Sequence, residues 1–248
     1  MRAWRKWLNR RTILWTRDRV GLRPGEFVLT FDDGPNASAE VTSRLLAVLG
    51  DRKIRGAFCL IGSEVRKEPD LAAAIFNAGH LVVNHSQTHA SLLGKSLEEA
   101  IQEIEDCESS LRAALGEGFR SGWFRPPGGM LSQVTSEVLA RTGHGLCPLT
   151  YFGNDTWSGP ANWHPVLRRH LRNARAERAG MYVLHERRHR LWPERAGVEE
   201  RSRSGANRRW VPEAAAGLID SLLEEGFSFP DPEEVLGRNS GCGEGENE

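Results

Sequence analysis

From residue 27 onward, short apolar runs alternate with amphipathic segments of ten or more residues. The runs at 27–31, 54–61, 81–84, 123–125, 146–152, 181–185 and 227–229 read as strands. Those at 38–49, 69–78, 96–115, 132–142, 163–178 and 212–225 read as helices, several closed by a glycine. The 96–115 segment opens Ser96-Leu97-Glu98-Glu99, a capping-box pattern. A crossover containing a helix cannot join antiparallel neighbours by a tight turn, so consecutive strands must pair in parallel with right-handed connections. Seven such strands in 248 residues predict an α/β chain closed as a (β/α) barrel rather than an open sheet. Barrels of this kind display their chemistry where the strands end.

Polar residues gather at those ends. The first strand runs into Asp32-Asp33-Gly34-Pro35, and the third delivers His85 and His89 in Asn84-His85-Ser86-Gln87-Thr88-His89. Two His at i and i+4 are expected to project from one face of a helical turn toward one ion. One carboxylate with two imidazoles leaves open positions on a divalent metal, as a catalytic rather than a structural site requires. The fourth strand ends in Arg125-Pro126-Pro127-Gly128-Gly129, placing a guanidinium where it can orient a carboxylate. The sixth ends in Leu184-His185.

These four elements, in this order, resemble the NodB-type polysaccharide deacetylases, the carbohydrate esterases of the fourth family. The resemblance covers roughly residues 25–229 and implies a distorted (β/α) barrel, usually of seven parallel strands. It implies that Asp33, His85 and His89 hold one divalent metal, Zn²⁺ foremost, with Co²⁺ or Ni²⁺ as alternatives. Asp32 would then be the general base acting on water, Arg125 would orient Asp32, and His185 would protonate the leaving amine. Gly128 would offer a backbone N–H to the oxyanion, and Leu184 and Trp157 would line the substrate pocket. Aligning the family's acidic-aromatic motif on Trp157 in Asn154-Asp155-Thr156-Trp157 puts Thr156 where the Arg-contacting Asp belongs, and Asp155 is expected to substitute for it as the partner of Arg125. Gly128 departs from the aromatic residue often found there.

The formal net charge of zero hides two basic segments and an acidic end. Residues 1–24 form a basic, Trp-rich extension. Residues 25–230 form the catalytic barrel, with an Arg-rich insertion at 186–211, and residues 231–248 an acidic tail expected to be disordered. The extension suits either a helix capping the barrel bottom or peripheral contact of residues 1–20 with an anionic membrane. The insertion suits either a solvated loop or recognition of phosphate or carboxylate on a substrate. Nucleic acid is not an expected partner, because no nucleic-acid fold signature appears. The four cysteines have no CxxC spacing and read as free thiols. With no signal-peptide pattern, the chain is expected in the cytoplasm, either free or peripheral to a membrane through its first residues.

The function expected is metal-dependent removal of an N-acetyl group from an N-acetylated amino sugar, a saccharide or glycan intermediate. A deacylase or deformylase acting on another amino sugar or a lipid-linked glycan is the alternative. A non-catalytic carbohydrate-binding barrel is the third reading, disfavoured because Asp32, Asp33, His85, His89, Arg125 and His185 are all present.

Overall fold

The computed structural model describes residues 21–131, 133–187 and 208–238. Seven parallel strands form one curled sheet in the order β5-β4-β3-β2-β1-β7-β6. They are β1 (Phe27–Gly34), β2 (Ala57–Leu60), β3 (Leu81–Asn84), β4 (Trp123–Phe124), β5 (Gly145–Leu146), β6 (Tyr151–Phe152) and β7 (Gly180–His185). The helices are α1 (Val41–Asp51), α2 (Gly62–Val65), α3 (Pro69–Asn77), α4 (Leu97–Leu115), α5 (Gln133–Thr142), α6 (His164–Glu177), α7 (Val211–Glu224) and α8 (Pro232–Gly237). The capping box forms as expected. The Ser96 hydroxyl accepts from the Glu99 N–H, and the Glu99 carboxylate accepts from the Ser96 N–H.

The two-residue period of the strands divides two cores. Phe27, Leu29, Phe31, Phe58, Leu60, Val82, Tyr182 and Leu184 pack outward under the helices. Val28, Ala57, Cys59, Leu81, Val83, Cys147 and Met181 pack inside the curl. Leu184 is 1% exposed and shares its cluster with Phe31, its neighbour in register on β1. It belongs to the core and does not line a pocket, contrary to the expectation for it.

The expected count of seven strands stands, but its membership differs. The single strand at 146–152 is two, β5 on the β4 edge and β6 on the β7 edge. Pro148 between them has no N–H to give a ladder. The Cys147 N–H still donates to the Phe124 carbonyl of β4 and the Thr150 N–H to the Met181 carbonyl of β7, so residues 148–149 cross from one sheet edge to the other without strand pairing. The run at 227–229 contributes only an isolated bridge, Glu26 to Ser228. The acidic tail is shorter than expected at its start. Asp231 caps α8 by accepting from the Glu233 N–H, and Val235 and Leu236 are buried in the inner core. Residues 1–20, most of the insertion (188–207) and 239–248, with Cys242, lie outside the described residues. Cys59, Cys107 and Cys147 are buried free thiols. Among the described residues no helix is long and apolar enough to cross a membrane.

Candidate active site

Asp32, His85, Arg125 and His185 all have the parity of the inward residues on their strands, so each side chain emerges at the C-terminal mouth of the curl. Asp33 has the opposite parity. It reaches the same place because β1 breaks its register against β2 between Asp32 and Gly34, and Asp33 adopts a left-handed φ of 70°. A bulge of this kind re-aims a side chain, here turning adjacent carboxylates to one site. Its Oδ1 lies 3.4 Å from His85 Nε2 and 3.1 Å from His89 Nε2.

The His pair is not carried on a helical turn. His85 follows β3 directly, and Ser86 and His89 both have left-handed φ, 65° and 59°. The loop is held from outside. The Ser86 N–H donates to Asn84 Oδ1 at 3.0 Å, and the Thr88 N–H and hydroxyl donate to the Glu103 carboxylate at 2.9 and 2.7 Å. Strained non-glycine backbone is tolerated where the surroundings fix it, and here it turns two imidazoles to one point.

One ligand atom from each of Asp33, His85 and His89 lies within 4.8 Å of the others, and all three residues are buried. The donor set fits a divalent metal. His85 Nδ1 is 2.7 Å from the Arg125 carbonyl, so that nitrogen carries the proton and Nε2 presents its lone pair to the cluster. Burial works to raise the Asp33 carboxyl, but the facing His89 and His85 outweigh it and hold it well below the usual carboxylate range.

Arg125 is 1% exposed. Its Nη1 donates to Asp32 Oδ1 at 2.9 Å and to Thr30 Oγ1 at 2.6 Å. Nη2 donates to the Pro148 carbonyl at 2.7 Å and contacts Cys147 Sγ at 3.3 Å, and Nε donates to the Cys147 carbonyl at 3.3 Å. All five donors are thus used. The guanidinium satisfies the carbonyls of the crossing segment that strand pairing leaves free, and fixes Asp32 with the same fork.

Asp155 does not meet Arg125 as expected. It sits in a 3-10 turn, Asp155–Trp157, and takes His185 instead. Asp155 Oδ1 accepts from His185 Nδ1 at 2.8 Å, and Oδ2 accepts from the His185 backbone N–H at 2.8 Å. That leaves His185 Nε2 as the free ring nitrogen. Burial disfavours the imidazolium, but Asp155, with Asp33 and Asp32, outweighs it and lifts His185 to about 9. Trp157 at the end of the turn is 75% exposed, and Gly128 is exposed on a turn at φ 68°.

Four residues were not anticipated. Thr30 accepts from Arg125 and has the same parity as Asp32, which the alternation could have shown. Cys147 contacts Arg125 across the sheet opening. Glu186 is fully buried beside Gly34, where an added Cβ would meet its Oε1 at 2.1 Å. Arg208, 2% exposed, donates to Asp155 Oδ2 at 2.5 Å. Nothing local in the sequence separates Arg208 from the other arginines of its segment.

The profile of the polysaccharide deacetylase family matches residues 20–146. The chain belongs to that family. A chitooligosaccharide deacetylase of Rhizobium leguminosarum bv. trifolii is 34% identical over 97 residues, 39% of this chain and 44% of that protein. A peptidoglycan-N-acetylglucosamine deacetylase of Bacillus cereus is 24% identical over 215 residues, 84% of this chain and 86% of that one. Among solved structures, the chitin deacetylase of Colletotrichum lindemuthianum superposes with TM-score 0.71 at 22% identity, covering 88% of this chain and 92% of that one. A CE4 family pseudoenzyme of Bacillus anthracis superposes with TM-score 0.67 at 20% identity, covering 86% and 66%. The two named relatives are deacetylases, hydrolases of carbon–nitrogen bonds other than peptide bonds, and this chain spans less than half the length of the first of them. The shared fold with a pseudoenzyme means that activity has to be argued from the site.

Proposed function

We propose that this protein is a metal-dependent N-deacetylase of N-acetylated glucosamine-type saccharides, of the chitooligosaccharide or peptidoglycan kind. The observation that carries the reading is the three-part constellation at one strand mouth: the Asp33-His85-His89 cluster, the Asp32–Arg125 pair and the Asp155–His185 pair. The first two relatives differ in substrate and in the length matched, so the saccharide is part of the proposal.

Asp33, His85 and His89 would hold the ion, Zn²⁺ being the best match to a two-His, one-carboxylate set. Such an ion, when bound, polarises an amide carbonyl and acidifies water. Asp32, fixed by Arg125, accepts a proton from the attacking water as general base. His185 is protonated at neutral pH through its bond to Asp155. With Nδ1 occupied, it delivers a proton from Nε2 to the departing amine, without which an amide nitrogen leaves poorly. The backbone N–H of Gly128, an exposed residue, is assigned to the developing oxyanion, and Trp157 to the sugar face.

Acetate release from short chitin oligomers, peptidoglycan fragments and lipid-linked N-acetylglucosamine, with and without added Zn²⁺ or Co²⁺, tests the reading. Metal-dependent acetate from any of them supports it. Metal bound in full with no acetate from any would overturn it in favour of another acyl group or of a binding role.

A further inference from the structure

Arg208 lies outside the constellation that the proposed reaction needs, yet it touches both halves of the acid pair. Its Nη2 donates to Asp155 Oδ2 at 2.5 Å, and Nη1 to the Asp155 carbonyl at 2.9 Å and the Ser158 carbonyl at 3.3 Å. Its Nε donates to the His185 carbonyl at 2.9 Å. One guanidinium therefore ties the 3-10 turn carrying Asp155 to the end of the strand carrying His185. The plane itself is fixed from behind, with its carbon 4.7 Å over the Trp210 ring, which stacks on Trp163 at 5.8 Å. Trp210 is 3% exposed, so this backing is part of the core. A planar fork clamped in this way has little rotamer freedom left to lose on forming its bonds.

We propose that Arg208 is a positioning residue for the acid: it locks the Asp155 carboxylate so that His185 has one orientation, with Nε2 turned to the reacting amine. The assignment rests on the deacetylase reading of the site. Without Arg208, the Asp155 carboxylate keeps only His185 as a partner among the described residues and gains freedom to turn with it. The cation also draws on the charge of Asp155 that would otherwise act wholly on His185. It therefore moderates His185's hold on its proton, which a general acid must release. The other charged groups facing this pair are Asp32 and Asp33 from β1, His89 from the loop after β3, and His170 from α6. Glu186 and Arg187 follow His185 in the chain.

The segment that supplies Arg208 is pinned at its other end too. Arg187 Nε donates to the Pro35 carbonyl at 3.2 Å, beside the Asp32-Asp33 turn, and its Nη2 lies 3.3 Å from Glu64 Oε2. Both ends of the Arg-rich insertion thus close onto loops of the site.

The test compares Arg208→Gln, Arg208→Lys, Asp155→Asn and the Arg208→Gln/Asp155→Asn double variant in the metal-loaded full chain. The expected result for Arg208→Gln is a fall in kcat of roughly 10- to 100-fold with KM changed less than about threefold, a share of what a general acid supplies. The alkaline limb of its pH profile moves up, Arg208→Lys recovers part of the rate, and the double variant is no worse than Asp155→Asn. A merely structural arginine would lower the folding midpoint but leave the limb in place. Wild-type kcat and limb in Arg208→Gln, or additive losses in the double variant, would overturn the proposal. If the wild type releases no acetate from any saccharide, the deacetylase reading fails by itself. The His185 ring titration by NMR in the full chain then still decides the pairing: an upward move in Arg208→Gln supports it, and no move refutes it.

Discussion

Arg125→Lys keeps the charge beside Asp32 and removes the fork. The wild-type guanidinium serves five acceptors: Asp32 Oδ1, Thr30 Oγ1, the Cys147 and Pro148 carbonyls and Cys147 Sγ. An ammonium has three N–H groups at one point, so at least two of these acceptors lose their donor. All lie in buried surroundings, where an unmade hydrogen bond costs about 1–3 kcal/mol. The two contacts at 3.3 Å are the weakest and the first to be given up. The expected loss of stability is therefore about 2–4 kcal/mol. Arg125→Met should cost more, about 3–5 kcal/mol, because it also leaves the buried Asp32 without its cation. With a urea dependence of about 2 kcal/mol per molar, Arg125→Lys should lower the unfolding midpoint by roughly 1–2 M. Urea unfolding at pH 7, followed by tryptophan fluorescence, reads both variants. If Arg125→Lys unfolds within about 0.5 kcal/mol of the wild type, the fork is not what closes the sheet opening. If the two variants are equal, charge and geometry have been weighed wrongly.

Asp155→Asn should drop the His185 titration from about 9 to below 6.5, since burial then acts unopposed by its nearest carboxylate. At pH 8 the imidazolium share would fall from about nine-tenths to a few per cent, a loss of roughly 30-fold in kcat, read by NMR titration and acetate release. The raised value also contributes stability that is full below 6.5 and is lost as pH climbs through about 9, so Asp155→Asn should flatten that decline. Burial pushes the Glu186 carboxyl up to about 8 from 4.5. The fold favours its neutral form, so that stability is full below 4.5 and disappears as pH rises through about 8. Glu186→Gln should resist unfolding between pH 7 and 9 better than the wild type by several kcal/mol, measured as urea midpoints at each pH. A chain ending at residue 230 loses the buried Val235 and Leu236 and the Arg238–Glu26 pair at 2.7 Å. It should melt roughly 5–15 °C lower by calorimetry, from about 2–4 kcal/mol of lost burial. His89→Ala should leave less than one equivalent of Zn²⁺ bound after dialysis, where the wild type retains one. Equal retention would remove His89 from the ligand set.

The strand–helix alternation and the four polar strand ends were legible because both rest on local chemistry. An apolar run of strand length is a local signal, and the runs at 27–31, 54–61, 81–84, 123–125 and 181–185 each hold one strand. A helix-length link leaves its neighbours only parallel pairing. Asp32, His85, Arg125 and His185 could be named together because each ends such a strand. The parity that places Asp32 and Thr30 inside the curl, and Leu184 outside it, was also in the sequence and was misread for Leu184. The partners of these residues were not legible. The left-handed turn at Asp33, the bent loop that brings His89 to His85, and the choice of His185 rather than Arg125 by Asp155 depend on atoms far apart in the chain. Arg125 fills an opening that exists only because Pro148 breaks a strand, and Arg208 arrives 53 residues after the Asp155 it holds. Local propensity fixes which elements form and which ends carry charge. Buried donors and acceptors take their partners only when packing closes around them, and that is decided by the tertiary structure.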